Sequence, residues 1–128
     1  MKNELYSAAN FLTHIVSLKN VISKLKLLQF CDCLIEVFYR RYQNHWHPAL
    51  PNKESGYRVI RIHHHHMDIM IIQAAGAAKL DLNLIRELLP SELTLWIDPN
   101  EVSYRIGEHG KICVIYNPNF KPWVTRPY

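Results

Sequence analysis

The segment Leu89–Tyr116, LPSELTLWIDPNEVSYRIGEHGKICVIY, constrains the fold more than any other, because its apolar residues recur at every second position between turn-like interruptions. Leu93, Leu95 and Ile97 share one face, and Thr94, Trp96 and Asp98 share the other. Further strands are expected near Val102–Ile106 and Ile112–Tyr116, joined through DPNE and GEHG. The aliphatic face belongs to a core. Trp96 is thereby left on the wetter face beside a carboxylate, where two readings stand. It anchors a protein partner, as tryptophan often does at interfaces, or a helix or loop covers it and it is second-side core.

Upstream the period changes from two to that of a helix. Leu5, Ala8, Leu12, Ile15 and Val16 form one stripe, and Asn20 with Ser23 supplies a break and a cap. A second stripe runs through Leu27, Leu28, Cys31, Leu34, Ile35, Phe38 and Tyr42. Pro48, Pro51 and Gly56 then mark a loop, NHWHPALPNKESG. Tyr57–Ile62 reads as a strand with Ile60 and Ile62 on one face and Tyr57, Val59 and Arg61 on the other. Asp68 is placed to cap a helix over Ile69–Ala78, and Asp81 to cap another, Leu82–Leu89, ended by Pro90. Helices first and a mainly antiparallel sheet later make an α+β fold. A chain of 128 residues fits one domain, here residues 1–116, followed by a Pro-rich, loosely ordered tail, residues 117–128.

An apolar share of 48% excludes a mainly disordered chain, and no apolar run approaches a membrane span. The start, MKNELYSAANF, lacks the pattern of a signal peptide, so an intracellular protein is expected. The net charge of +4 is spread out, with Arg40–Arg41 as its main cluster and weaker density at Lys19, Lys24 and Lys26. A solvated helix face accounts for it, and no sequence-specific nucleic-acid binding is expected. Cys31, Cys33 and Cys113 have neither CxxC spacing nor an even count, so three reduced and mostly buried thiols are expected.

His63–His66, with His45 and His47 as further imidazoles, raises a metal reading. The run lacks the Cys/His spacing of a known zinc finger, and a polar loop between strand and helix explains it, so neither metal nor other cofactor is assigned. Ser55, Ser91 and Ser103 lie outside any nucleophile elbow, and four glycines leave little room for a phosphate-cradling loop. Catalysis is therefore not expected. LIRELL, Leu84–Leu89, comes close to a leucine-rich docking helix through Ile85, Leu88 and Leu89, although such residues usually face the core.

Taken in order, HW-x-P, SGYR-x-IRI, the Met67–Asp68 step and LPSELTLWIDP-x-EVSYRIGE-x-G-x-ICVIY resemble the two signature blocks of the BTG/Tob antiproliferative family. The blocks run from about His45 to Asp68 and from Leu89 to Tyr116, and the likeness covers roughly residues 3 to 116, closer to the short BTG branch than to Tob. The resemblance implies a non-enzymatic adaptor, cytoplasmic and nuclear, that binds the DEDD-type catalytic deadenylase subunit of the NOT complex and promotes shortening of mRNA poly(A) tails. It also implies contacts with transcription factors or RNA-binding proteins; the alternative reading is a nuclear transcriptional co-regulator that uses the Leu84–Leu89 helix or the basic helical face. Carried onto this chain, the family's deadenylase contacts are Tyr57, Asp68, Trp96 and Asp98. Departures are specific. The Ile62–Asp68 step is one residue longer than the family's I-N-H-K-M-D, Val59 replaces a usual cysteine, and HWHPALP loses an aromatic and two charges. The tail NPNFKPWVTRPY does not resemble the region through which some members engage poly(A)-binding protein, so that partner is not implied.

Overall fold

A computed structural model describes residues 1–64 and 66–119. Helix α1 (Lys2–Ser17) and helix α2 (Lys24–Tyr42) come first, then a single helical turn α3 (Ser55–Arg58) and strand β1 (Ile60–His63). Helices α4 (Ile69–Ala77) and α5 (Leu82–Leu88) follow, and strands β2 (Glu92–Asp98), β3 (Glu101–Ile106) and β4 (Cys113–Tyr116) complete the described elements. The sheet is antiparallel throughout, in the order β1-β2-β3-β4. The α+β architecture expected from the pattern is the observed one.

Local chemistry explains where the elements begin and end. Asn20 takes a left-handed conformation after α1, and the Ser23 side chain accepts from the Lys26 N–H to cap α2. Asp68 and Asp81 cap α4 and α5 by accepting from the N–H groups of Met70 and Asn83. The Lys26 ammonium of α2 reaches the Ala78 carbonyl at 3.0 Å and so meets an orphan acceptor at the end of α4. Asn100, at φ +66°, closes the tight turn between β2 and β3. At Gly110, in the β3–β4 connection, a Cβ would overlap the Ile106 carbonyl oxygen, so only glycine fits.

The core lies between the helices and one face of the sheet. Leu5, Ala8, Leu12 and Val16 of α1 are fully or nearly buried, as are Leu34, Phe38 and Tyr42 of α2. From the sheet, Ile60, Ile62, Leu93, Leu95, Ile97 and Val102 close the core. Each of the larger aliphatic and phenylalanine side chains contributes about 1.5–3 kcal/mol of transfer free energy. The helical stripe of α2 is rotated from its expected setting, because Phe30 is buried while Leu28 is exposed. Glu4 was not foreseen as a core residue. Its carboxylate, 5% exposed, accepts from the Asn100 N–H at 2.9 Å and pairs with the chain's amino terminus, tying α1 to the β2–β3 turn.

Two strand expectations need correction. Tyr57 and Arg58 lie in helical turn α3 rather than in a strand, and β1 starts only at Ile60. The reason is Arg58, whose side chain is completely buried and draws the SGYR turn inward. Ile112 lies outside β4 and is exposed. Of the three free thiols only Cys31 is buried, and burial pushes its thiol pKa up. The expected loose tail lies, from residue 120 onward, outside the described residues.

Candidate partner-binding surface

The sheet has two unlike faces, and the helices decide which is which. Helix α1 packs on the side of Leu93, Leu95 and Ile97, against β2, β3 and β4. The opposite side of β2 carries Glu92, Thr94, Trp96 and Asp98, all half-buried. Cross-strand register adds Arg61 beside Thr94 from β1, and Arg105 and Ser103 beside Thr94 and Trp96 from β3. The Arg105 guanidinium stands 5.7 Å from the centre of the Trp96 ring, within range of a cation–π attraction. Trp96 is thus neither core nor fully solvated: one ring face is stiffened by a cation, and part of its surface is left for contact.

Asp98 shares this side of β2, but its first duty is internal. Its Oδ1 accepts from the Arg58 guanidinium at 2.9 Å and from the Ser55 hydroxyl at 2.7 Å. Arg58 uses all five of its N–H donors. Nε donates to the Ile97 carbonyl, Nη1 to those of His45 and Lys53, and Nη2 to that of Pro51 and to Asp98. Its guanidinium also lies 5.4 Å from the Trp46 ring centre. One buried cation therefore folds the Pro-containing loop onto the end of β2. Pattern reading passed over this residue, although alternation already put Arg58 on the same face as Ile60 and Ile62, where a charge needs internal partners.

Tyr57 stands at the other side of that hub, 39% exposed. Its ring lies 4.2 Å from that of His45, and the Arg41 guanidinium is 4.8 Å from its centre. His45 is held in turn, because His45 Nδ1 and His47 Nε2 each lie 3.0 Å from Glu54 Oε2. Those imidazoles, His47 first, hold the Glu54 carboxyl below its ordinary pKa. His45 and His47 thus clamp a carboxylate in the loop; of the His63–His66 run, His65 lies outside the described residues.

Asp68 spends both oxygens on the fold as well. Oδ1 caps α4 at the Met70 N–H, 2.9 Å away, and Oδ2 accepts from the Arg61 N–H at 3.0 Å. The longer Ile62–Asp68 step therefore still delivers Asp68 to a helix cap. Asp68 and Tyr57 both act on the buried Tyr42 phenol, whose pKa burial pushes far above its ordinary value. Tyr42 Oη donates to the Arg58 carbonyl at 2.9 Å. The four candidate residues thus fall into two pairs, Tyr57 with Asp68 around the end of α2, and Trp96 with Asp98 on β2. Arg58 joins the pairs. Among the described residues, no hydrogen bond or ring contact links any two of the four directly.

The docking-helix reading of LIRELL fares poorly. Ile85 and Leu89 are buried in the core and Leu88 packs against it, so all three motif positions already have partners inside the domain.

Comparison with known proteins bears on the fold and the family. The BTG family model matches residues 1–116. Human BTG2 is 46% identical over 116 residues, covering 91% of this chain and 73% of that protein. Human BTG1 is 47% identical over the same length, covering 91% of this chain and 67% of that protein. Human Tob1 is more distant at 39%, with 91% of this chain and 33% of Tob1 covered. The solved BTG/Tob domain of C. elegans FOG-3 superposes with a TM-score of 0.82 at 19% identity, covering 91% of this chain and 90% of that one, and so shares the fold. An α+β domain matched by the family model over residues 1–116, nearer to BTG1 and BTG2 than to Tob1, belongs to the BTG/Tob antiproliferative family, on its short BTG branch.

Proposed function

We propose that this chain is a non-enzymatic adaptor that docks on the DEDD-type catalytic deadenylase subunit of the NOT complex, promotes poly(A) shortening and thereby restrains proliferation. The observation that carries the reading is Trp96, a half-buried indole on the side of the sheet away from α1, held by Arg105 and flanked by Asp98. A large amphipathic ring with a fixed orientation loses little entropy on binding, which is why tryptophan and arginine dominate interface energetics. Tyr57 supplies a second aromatic contact, set in place by His45 and Arg41. Asp98 and Asp68 act as positioning residues, since their carboxylates order the loop and α4 beside the contact surface. The adaptor supplies no catalytic group; it works by recruitment, linking the nuclease to mRNA-bound factors in cytoplasm and nucleus. The Ser55 hydroxyl is bonded to Asp98, an arrangement that serves folding rather than nucleophilic chemistry.

Calorimetric titration of the purified chain into the purified deadenylase subunit tests the proposal. Binding at micromolar affinity or tighter is expected, and Trp96→Ala should weaken it by about thirtyfold or more, about 2 kcal/mol. A folded Trp96→Ala chain that binds within a few-fold of wild type would remove the site, and a folded wild type that does not bind would remove the function.

A further inference from the structure

Three metal-ligating side chains converge where β1 ends. His63 and Glu92 are cross-strand partners at the last position of the β1–β2 ladder, so their side chains leave the same face of the sheet. The chain then reverses, with the His63 N–H donating to the His66 carbonyl at 3.1 Å and the His66 N–H to the His63 carbonyl at 2.8 Å. In that reversal His64 adopts φ +50°, and its ring comes to lie 4.1 Å from that of His63. His64 Nδ1 stands 3.5 Å from Glu92 Oε1. One ligating atom from each of the three lies within 4.8 Å of the other two.

We propose that His63, His64 and Glu92 form a binding site for one divalent transition-metal ion of the zinc type, with the remaining positions open to water. Two imidazoles and one carboxylate make a borderline donor set that favours zinc, nickel or copper over magnesium and calcium. Zinc holds such donors at about 2.0–2.2 Å, and tetrahedral coordination sets them roughly 3.4 Å apart, a closure that side-chain rotation supplies. His63 and Glu92 are half-buried and His64 is exposed, so the ion has a path from solvent. Arg61, Arg105 and Glu108 share the shallow depression beside His63 and Glu92. Two nearby cations and only three protein ligands set the expected Kd on the order of micromolar, far weaker than a four-ligand structural zinc site.

Glu92 distinguishes this site from a bare run of histidines, which binds metal through any of its rings, folded or not. Glu92 belongs to another strand and joins the set only when β1 pairs with β2. Zinc should therefore bind the native state preferentially and raise its melting temperature.

The test uses the full chain without an affinity tag, reduced, titrated with zinc chloride by calorimetry and with cobalt(II) by absorbance. One ion per chain is expected. At free zinc a hundredfold above Kd the Tm should rise by roughly 10 °C. Glu92→Gln should weaken zinc binding at least tenfold and cut the rise at the same free zinc to about half or less, and bound cobalt should show visible d–d bands without a thiolate charge-transfer band. Should Glu92→Gln loosen the fold, His64→Asn in the exposed turn is expected to give the same two losses. Zinc affinity indifferent to both substitutions, an unchanged Tm, or thiolate ligation would each overturn the site.

Discussion

Replacing Arg58 by methionine is expected to remove about 4 kcal/mol of stability. Methionine fills most of the aliphatic volume, so the change isolates the guanidinium from the packing of its stem. Lost are five donated hydrogen bonds, to the carbonyls of Ile97, His45, Lys53 and Pro51 and to the Asp98 carboxylate. Arg58 is fully buried, whereas the Asp98 side chain is 18% exposed. Breaking a buried pair by deleting one partner costs about 3–5 kcal/mol. Partial exposure lets water reach Asp98, while the orphaned carbonyls add to the loss, so the middle of that range is the expected value. Arg58→Lys keeps the charge but offers three donors in place of five, and should cost about 2 kcal/mol. Against a total of about 5–15 kcal/mol for a domain this size, either loss is large. Equilibrium urea unfolding reads both values, and hydrogen exchange should show the first loss of protection in residues 45–54. A double-mutant cycle with Asp98→Asn should give a coupling of about 1 kcal/mol or more. A loss below about 1 kcal/mol for Arg58→Met would refute the reasoning, because the bonds would then be replaced by water at little cost.

Two glycines should answer oppositely to alanine. Gly110→Ala is expected to cost about 1–3 kcal/mol as the added Cβ displaces the Ile106 carbonyl, while Gly76→Ala on α4, with open space around it, should stabilise by about 0.5–1 kcal/mol; paired thermal melts check both signs. Burial raises the Tyr42 pKa above its ordinary value of 10.0, so the folded chain holds a proton that the unfolded chain releases. That contribution is fully present below about pH 10 and is lost above it, at up to about 1.4 kcal/mol per pH unit. Urea midpoints between pH 9 and 11 should fall, and Tyr42→Phe should flatten the fall. The phenol of Tyr104, also raised by burial, keeps that flattening incomplete.

Elements with a strong period were legible in the residues. The alternation of Leu93, Leu95 and Ile97 and the caps at Ser23, Asp68 and Asp81 placed strand β2 and three helix starts, because period and capping are local properties. What was not legible depends on partners distant in sequence. Tyr57 read as a strand residue since its neighbours favour strands, but the buried guanidinium next to it binds five groups from Asp98, Ile97 and the preceding loop, and winds the segment into a turn. Nothing in the local pattern marks Glu4 as buried, because its partner, the Asn100 N–H, comes from the far end of the chain. Family motifs name the candidate contact residues, whereas pattern alone puts Trp96 and Asp98 opposite the aliphatic face of β2 and Tyr57 off the Ile60–Ile62 face. Asp98 and Asp68 show the limit of motif transfer: their place in the motif is kept, while their geometry gives each an internal role first.

Cross-saturation NMR on the labelled chain bound to unlabelled deadenylase subunit addresses the central claim most directly. The account predicts that saturation reaches Trp96, Arg105 and Tyr57 and spares the opposite side, including Phe11 and His14 of α1. Saturation concentrated on α1 and β4, with Trp96 and Tyr57 unaffected, would contradict it.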